Sequence, residues 1–137
     1  NPAFEVRIRL ARQEIERKLF GFVIFADDGQ GLPIIFRPDS GTVRLGDGEA
    51  PFAVTDLTEG EDLELRIFVD HYLIEVFVNN RQALVAVYPD YADRRTLAAF
   101  SVGQPTQIES ITVWKLTPTH GGFWEARERP VWIPDEA

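Results

Sequence analysis

DLELRIFVDHYLIEVFVNNRQALVAVYP, residues 62–89, decides the fold, because it reads as three β-strands joined by two tight turns. Leu63, Leu65, Ile67 and Val69 alternate with Glu64, Arg66, Phe68 and Asp70, the period of two of a pleated strand. In the next run Ile74, Val76 and Val78 share one face and Leu73, Glu75 and Phe77 the other, followed by Ala83, Val85 and Val87 against Leu84, Ala86 and Tyr88. A slip of one residue would turn a strand's whole apolar set to the wrong face, so parity fixes the register. An even loop at residues 70–73 sets Val69 opposite Ile74 and Ile67 opposite Val76. It leaves Phe68 across from Glu75 and Arg66 across from Phe77, which makes Arg66 and Glu75 diagonal neighbours. The second turn falls at Asn79, Asn80 and Arg81, where two asparagines tolerate the positive φ of a primed hairpin turn.

Outward from this meander the same pattern recurs. Phe4, Val6, Ile8 and Leu10 alternate with Glu5, Arg7, Arg9 and Ala11, a first strand with a charged outer face. ARQEIERK (residues 11–18) has helix-forming composition but is too short to hold a helix alone, so a loop or a single helical turn is expected. LFGFVIFADDGQG (19–31) reads as a buried strand with an Asp-Gly turn. LPIIFRPDSGTVRLGDG (32–48) reads as two short strands around Pro38-Asp39-Ser40-Gly41. Residues 50–61 are expected to be an irregular connection with Pro51 and an acidic cluster, and 89–95 another loop. LAAFSVG (97–103) and QIESITVWKL (107–116) supply two more strands. Many short strands with regular turns predict an all-β fold, an antiparallel two-sheet sandwich of jelly-roll or concanavalin-like type with about eight to ten strands. Residues 1–116 form the sandwich in this reading. Residues 117–137 form an irregular tail whose Phe123, Trp124 and Trp132 predict packing on the sandwich or on a partner rather than disorder.

A chain of 137 residues fits one domain able to bury its own core. Its formal charge is −8, with acidic residues scattered and no basic stripe, which argues against nucleic acid as a partner. With no cysteine there are no disulfides, thiol nucleophiles or Cys-based metal sites. Neither a signal-peptide pattern nor an apolar run long enough to span a membrane occurs, so no membrane partner is expected. With no methionine, Asn1 is expected to be an internal or processed start.

The segment LRIFVDHYLIEVFVNNRQALVAVYP (65–89) resembles the hallmark of the C-terminal β-sandwich module of glycoside hydrolase family 32, the invertases, levanases, inulinases and fructan exohydrolases. The likeness rests on the strand alternation, Asp70 before the turn and Glu75-Val76-Phe77 after it. It extends more loosely over residues 4–116, with VRLGDGEAPF (43–52) upstream and IESITVWKL (108–116) as the closing strand. Two positions depart from the pattern. His71 and Tyr72 stand where the family commonly has Arg-Ser, and an upstream Asp-Arg with Ser-Gly is reduced to Arg44, so the contacts of those family side chains are not carried over.

The resemblance implies that catalysis resides in a preceding five-bladed propeller of the same polypeptide, whose WMNDPNG-like, RDP-like and EC-like motifs do not occur here. It also implies sucrose-type or fructan carbohydrate as the parent enzyme's substrate, and an extracellular or periplasmic setting. From the residues themselves, Asp70 and Glu75 are the tempting carboxylate pair. A retaining glycosidase needs two such groups about 5–5.5 Å apart, whereas this register separates them by about two residue steps and puts Arg66 in reach of Glu75 as an ion-pair partner. No catalytic residue is therefore assigned, and the chain alone is expected to be inactive. His71 and His120 lack partners at metal or triad spacing. Calcium ligation by Asp27, Asp28 and Gln30, or by Asp90 and Asp93, is more simply read as solvated turn acids, so neither a metal nor a cofactor is expected.

Sugar rings are held by an aromatic face and a few fixed polar groups. Tyr72, Tyr91, Trp124 and Trp132 lie where a ring could be exposed, and Trp114 either plugs the sandwich edge or meets a ligand. Asp70, Tyr72, Glu75 and Arg66 are the carbohydrate-binding candidates. Three functions follow: a non-catalytic module that flanks and stabilises the propeller of a fructan- or sucrose-active hydrolase, a module that binds fructose units, and a protein-binding sandwich unrelated to sugar.

Overall fold

The architecture comes from a computed structural model that describes residues 3–16, 19–27, 30–88, 96–103, 105–117 and 128. Ten strands are present among them: β1 Ala3–Leu10, β2 Phe20–Asp27, β3 Gln30–Arg37, β4 Thr42–Leu45, β5 Gly48–Pro51, β6 Leu63–Asp70, β7 Leu73–Val78, β8 Gln82–Val87, β9 Leu97–Ser101 and β10 Ser110–Leu116. They form two five-stranded antiparallel sheets, ordered β10-β1-β6-β7-β8 and β5-β4-β3-β2-β9. The residues after β1 make only the short helix α1, Arg12–Ile15, whose Ile15 is buried. This is the single helical turn its length allows.

Parity does set the register of the meander. Val69 pairs with Ile74, Ile67 with Val76, Phe68 with Glu75 and Arg66 with Phe77. Leu63, Leu65, Ile67, Val69, Ile74, Val76 and Val78 all point inward and are buried. The second sheet answers them with Phe20, Phe22, Ile34, Phe36, Val43 and Leu45. Phe20 and Phe36 stack at 4.8 Å between centroids. Each such side chain contributes about 1.5–3 kcal/mol by leaving water, so the two inward faces, not the turns, hold the layers together. No buried polar or charged residue interrupts this core among the described residues.

The turns carry the expected backbone geometry. Asn79 and Asn80 sit at φ 50° and 53°, and the Arg81 N–H donates to the Val78 carbonyl at 2.9 Å. At the other tip His71 takes φ 54° between paired Asp70 and Leu73.

One element departs from the sequence expectation. Residues 48–51, read partly as irregular connection, form β5 on β4, with Thr42 opposite Pro51 and Leu45 opposite Gly48. Proline fits there because β5 is an edge strand, where one side needs no N–H donor. The connection beyond it contains a 3-10 turn, Val54–Asp56, that buries Val54. Of the tail expectation for residues 117–137, all but Thr117 and Glu128 lies outside the described residues.

Candidate functional site

Because β1, β6 and β7 bury alternate residues, the others make a continuous outer face on the first sheet. One rung runs Trp114, Glu5, Phe68, Glu75, Val85 and the next Thr112, Arg7, Arg66, Phe77, Ala83. Arg66, Phe68, Glu75, Phe77 and Asn80 line a shallow depression of about 500 Å³ on this face. Phe68 and Phe77 meet edge to face at 5.8 Å, and the Arg66 guanidinium lies 5.1 Å from the Phe68 ring centre. A cation held over an aromatic face is attracted to its quadrupole. The depression thus combines a fixed donor fork, a carboxylate and two aromatic rings.

The expected Arg66–Glu75 ion pair is not formed. Arg66 Nε donates to Glu5 Oε1 at 3.2 Å, and Arg7 approaches the same oxygen at 3.5 Å. β6 lies between β1 and β7, and Arg7 stands directly opposite Arg66. One carboxylate on β1 therefore offsets two adjacent guanidinium charges, which draws Arg66 away from Glu75. Glu5 is suited to this, its side chain being only 12% exposed.

Asp70 and Tyr72 belong elsewhere. Asp70 Oδ1 lies 2.7 Å from His71 Nδ1, both side chains being well exposed at the tip of the β6–β7 hairpin. The four candidate residues thus divide into Arg66 with Glu75 in the depression and Asp70 with Tyr72 at the tip. Phe68, Phe77 and Asn80, which complete the depression, were not among the sequence candidates. The signal was present in the parity that places both rings on the face of Arg66 and Glu75.

Beside the tip, Leu73 pairs with Val87, and Leu73, Val85 and Val87 are 39%, 61% and 67% exposed on the outer face, with Tyr72 at 56%. Ala3, where β1 starts, lies at this same end of the sheet, since Phe4 pairs with Val69 next to Asp70. Trp114 is on the outer face too, with the Arg7 guanidinium 5.0 Å from its ring centre. Its role as an inward edge plug is excluded, because Glu5 opposite it points outward.

Between the sheets, on the β10 and β9 side, an apolar groove of about 430 Å³ is lined by residues including Phe4, Ile24, Phe25, Ile67, Ile111 and Val113. Phe25 enters it from a bulge in β2, at φ 58°, and stacks on Tyr88 at 5.7 Å. No group of three His, Asp or Glu side chains able to hold a metal occurs among the described residues, and Asp28, Asp90 and Asp93 lie outside them. Tyr91, His120, Trp124 and Trp132 likewise lie outside the described residues.

The sequence model of the family described as "Glycosyl hydrolases family 32 C terminal" matches residues 1–115. The chain belongs to this family. The module is 33% identical over 101 residues to a raffinose invertase of Escherichia coli, a match covering 71% of this chain and 20% of that protein. It therefore spans about a fifth of that relative's length. Among solved structures, an Aspergillus kawachii β-fructofuranosidase complexed with glycerol superposes with a TM-score of 0.51 at 15% identity, over 83% of this chain and 22% of that one. Chicken galectin 2 superposes with a TM-score of 0.56 at 10% identity, over 82% of this chain and 89% of that one. At these identities the two structural matches speak for the sandwich fold alone. The family 32 module thus has the two-sheet sandwich expected from its central hairpins.

Proposed function

We propose that this chain is the non-catalytic sandwich module of a fructosidase-type enzyme, docked on a propeller catalytic domain of the same polypeptide and stabilising it. The observation that supports this reading is the exposed strip of Tyr72, Leu73, Val85 and Val87. A contiguous apolar strip costs solvation until a partner covers it, and this one lies at the end of the sheet where β1 begins. A catalytic domain preceding β1 would be tethered beside it. The substrate class proposed for the whole enzyme is sucrose-, raffinose- or fructan-type carbohydrate, after the raffinose invertase relative. Hydrolysis is assigned to the catalytic domain, because Asp70 engages His71 and Glu75 sits on a different rung. Incubating the isolated chain with sucrose, raffinose, levan or inulin is expected to release no fructose. Fructose appearing in proportion to the chain would contradict the assignment.

The depression lined by Arg66, Phe68, Glu75, Phe77 and Asn80 favours a second role, binding of fructose units. Its rings would meet the apolar side of a sugar while the Arg66 fork and Glu75 address hydroxyls, with Asp70 and Tyr72 contacting a longer chain at the hairpin tip. Calorimetry with levan, inulin and fructose should give binding heat that Glu75→Gln diminishes about tenfold. No heat at millimolar sugar would remove this role and leave the docking role intact.

A further inference from the structure

Among the described strands β10 ends the first sheet, with β1 paired on one side of it and none on the other. Its exposure is unlike that of its neighbours. Ile111 and Val113 stand in register with buried Ile8 and Val6 on the inward face, yet they are 49% and 62% exposed. The other sheet ends are managed. β5 is four residues long and carries Pro51, β8 and β5 lie against each other and close that side of the sandwich, and β9 has only five residues. β10 is seven residues long, contains neither Pro nor Gly, and has an edge beside the apolar groove that no described strand pairs. Such an edge is a template for another strand.

We propose that the occupant is β10 of a second copy of this chain, paired antiparallel about a two-fold axis through Thr112. The sequence of the strand favours this register. With Thr112 facing its own equivalent, Ile111 of one copy faces Val113 of the other, and Glu109 faces Lys115 of the other. Each pair shares a face, since its two residues have the same parity. Both apolar contacts fall on the groove side, where the exposed surface needs cover. The Glu109–Lys115 pair is of opposite sign and occurs twice by symmetry. Glu109 and Lys115 are exposed, and neither side chain has an ion-pair partner among the described residues. The product is one continuous ten-stranded sheet with the two grooves side by side. A single edge buries less than about 1,200 Å², so the dimer is weak and depends on concentration.

Analytical ultracentrifugation of the full 137-residue chain tests this. Each copy carries a formal charge of −8, so the runs use physiological ionic strength, where the Debye length is about 8 Å. The wild type is expected to pass from monomer to dimer between micromolar and millimolar concentration. Glu109→Lys and Lys115→Glu place like charges face to face, so each alone should weaken association about tenfold or more. An equimolar mixture of the two variants restores opposite charges at every contact and should form a heterodimer. That recovery also separates lost pairing from lost folding. A wild type that stays monomeric, single variants that dimerise as the wild type does, or a mixture that fails to associate would each overturn the proposal.

Discussion

Glu5 is the residue on which the charge balance of the outer face turns. It accepts from Arg66 at 3.2 Å and neighbours Arg7 at 3.5 Å, while those two arginines oppose one another on β1 and β6. Replacing it with alanine leaves two guanidinium groups facing each other beside a half-covered aromatic, so Glu5→Ala should cost about 1–2 kcal/mol in urea unfolding. Arg9 and Glu64, 3.1 Å apart with the arginine about half exposed, are a solvated pair, and Arg9→Ala should cost at most about 0.5 kcal/mol. Equal effects would show that Glu5 does not organise the cluster. The two asparagines of the second turn differ in a similar way. Both hold positive φ, but only Asn79 also closes the hairpin against β6, accepting from the Glu64 N–H at 2.9 Å and donating to the Asp62 carbonyl at 2.8 Å. Asn80→Gly should leave stability unchanged or raise it slightly, whereas Asn79→Gly should lose about 1–2 kcal/mol. The positive φ at both asparagines was readable from residue type. The clamp by Asn79 was not, since it reaches back to a residue that only the folded hairpin brings near.

At the scale of elements, alternation told which residues face the core but not what covers the other face. Ile67, on β6 in the middle of its sheet, is 1% exposed, and Ile67→Ala should cost about 2–5 kcal/mol through lost burial and a residual cavity. Val87, on β8, is 67% exposed, and Val87→Ala should change the stability of the isolated chain by less than about 0.5 kcal/mol. Guanidinium melts of both variants check the contrast, and a large loss at Val87 would mean that its face is covered within the chain itself. β8 is apolar on both faces, so sequence alone could not say that Leu84 turns inward while Val85 and Val87 stay outside. β5 was not legible in the sequence for a different reason. Gly48-Glu49-Ala50-Pro51 has no alternation of its own and becomes a strand only because β4 supplies the hydrogen-bonding partner. The candidate pair Arg66 and Glu75 was legible as diagonal neighbours. The rivalry of Glu5 was not, because the pairing of β1 with β6 links positions 61 residues apart.

For the whole molecule, the meander at residues 62–88 fixed which face of the first sheet is core, and the sandwich follows from covering it. Family membership follows from the match over residues 1–115. The proposed docking role would belong to the outer end of that sheet, where Leu73 and Val87 pair beside Tyr72. The most direct test is scanning calorimetry of the proposed longer enzyme and of the isolated chain, each with and without the paired change Leu73→Asp and Val87→Asp. The docking account predicts that these charges lower the melting temperature of the longer enzyme by several degrees, while the isolated chain, where both side chains already meet water, melts as before. Unchanged melting of the longer enzyme would contradict it.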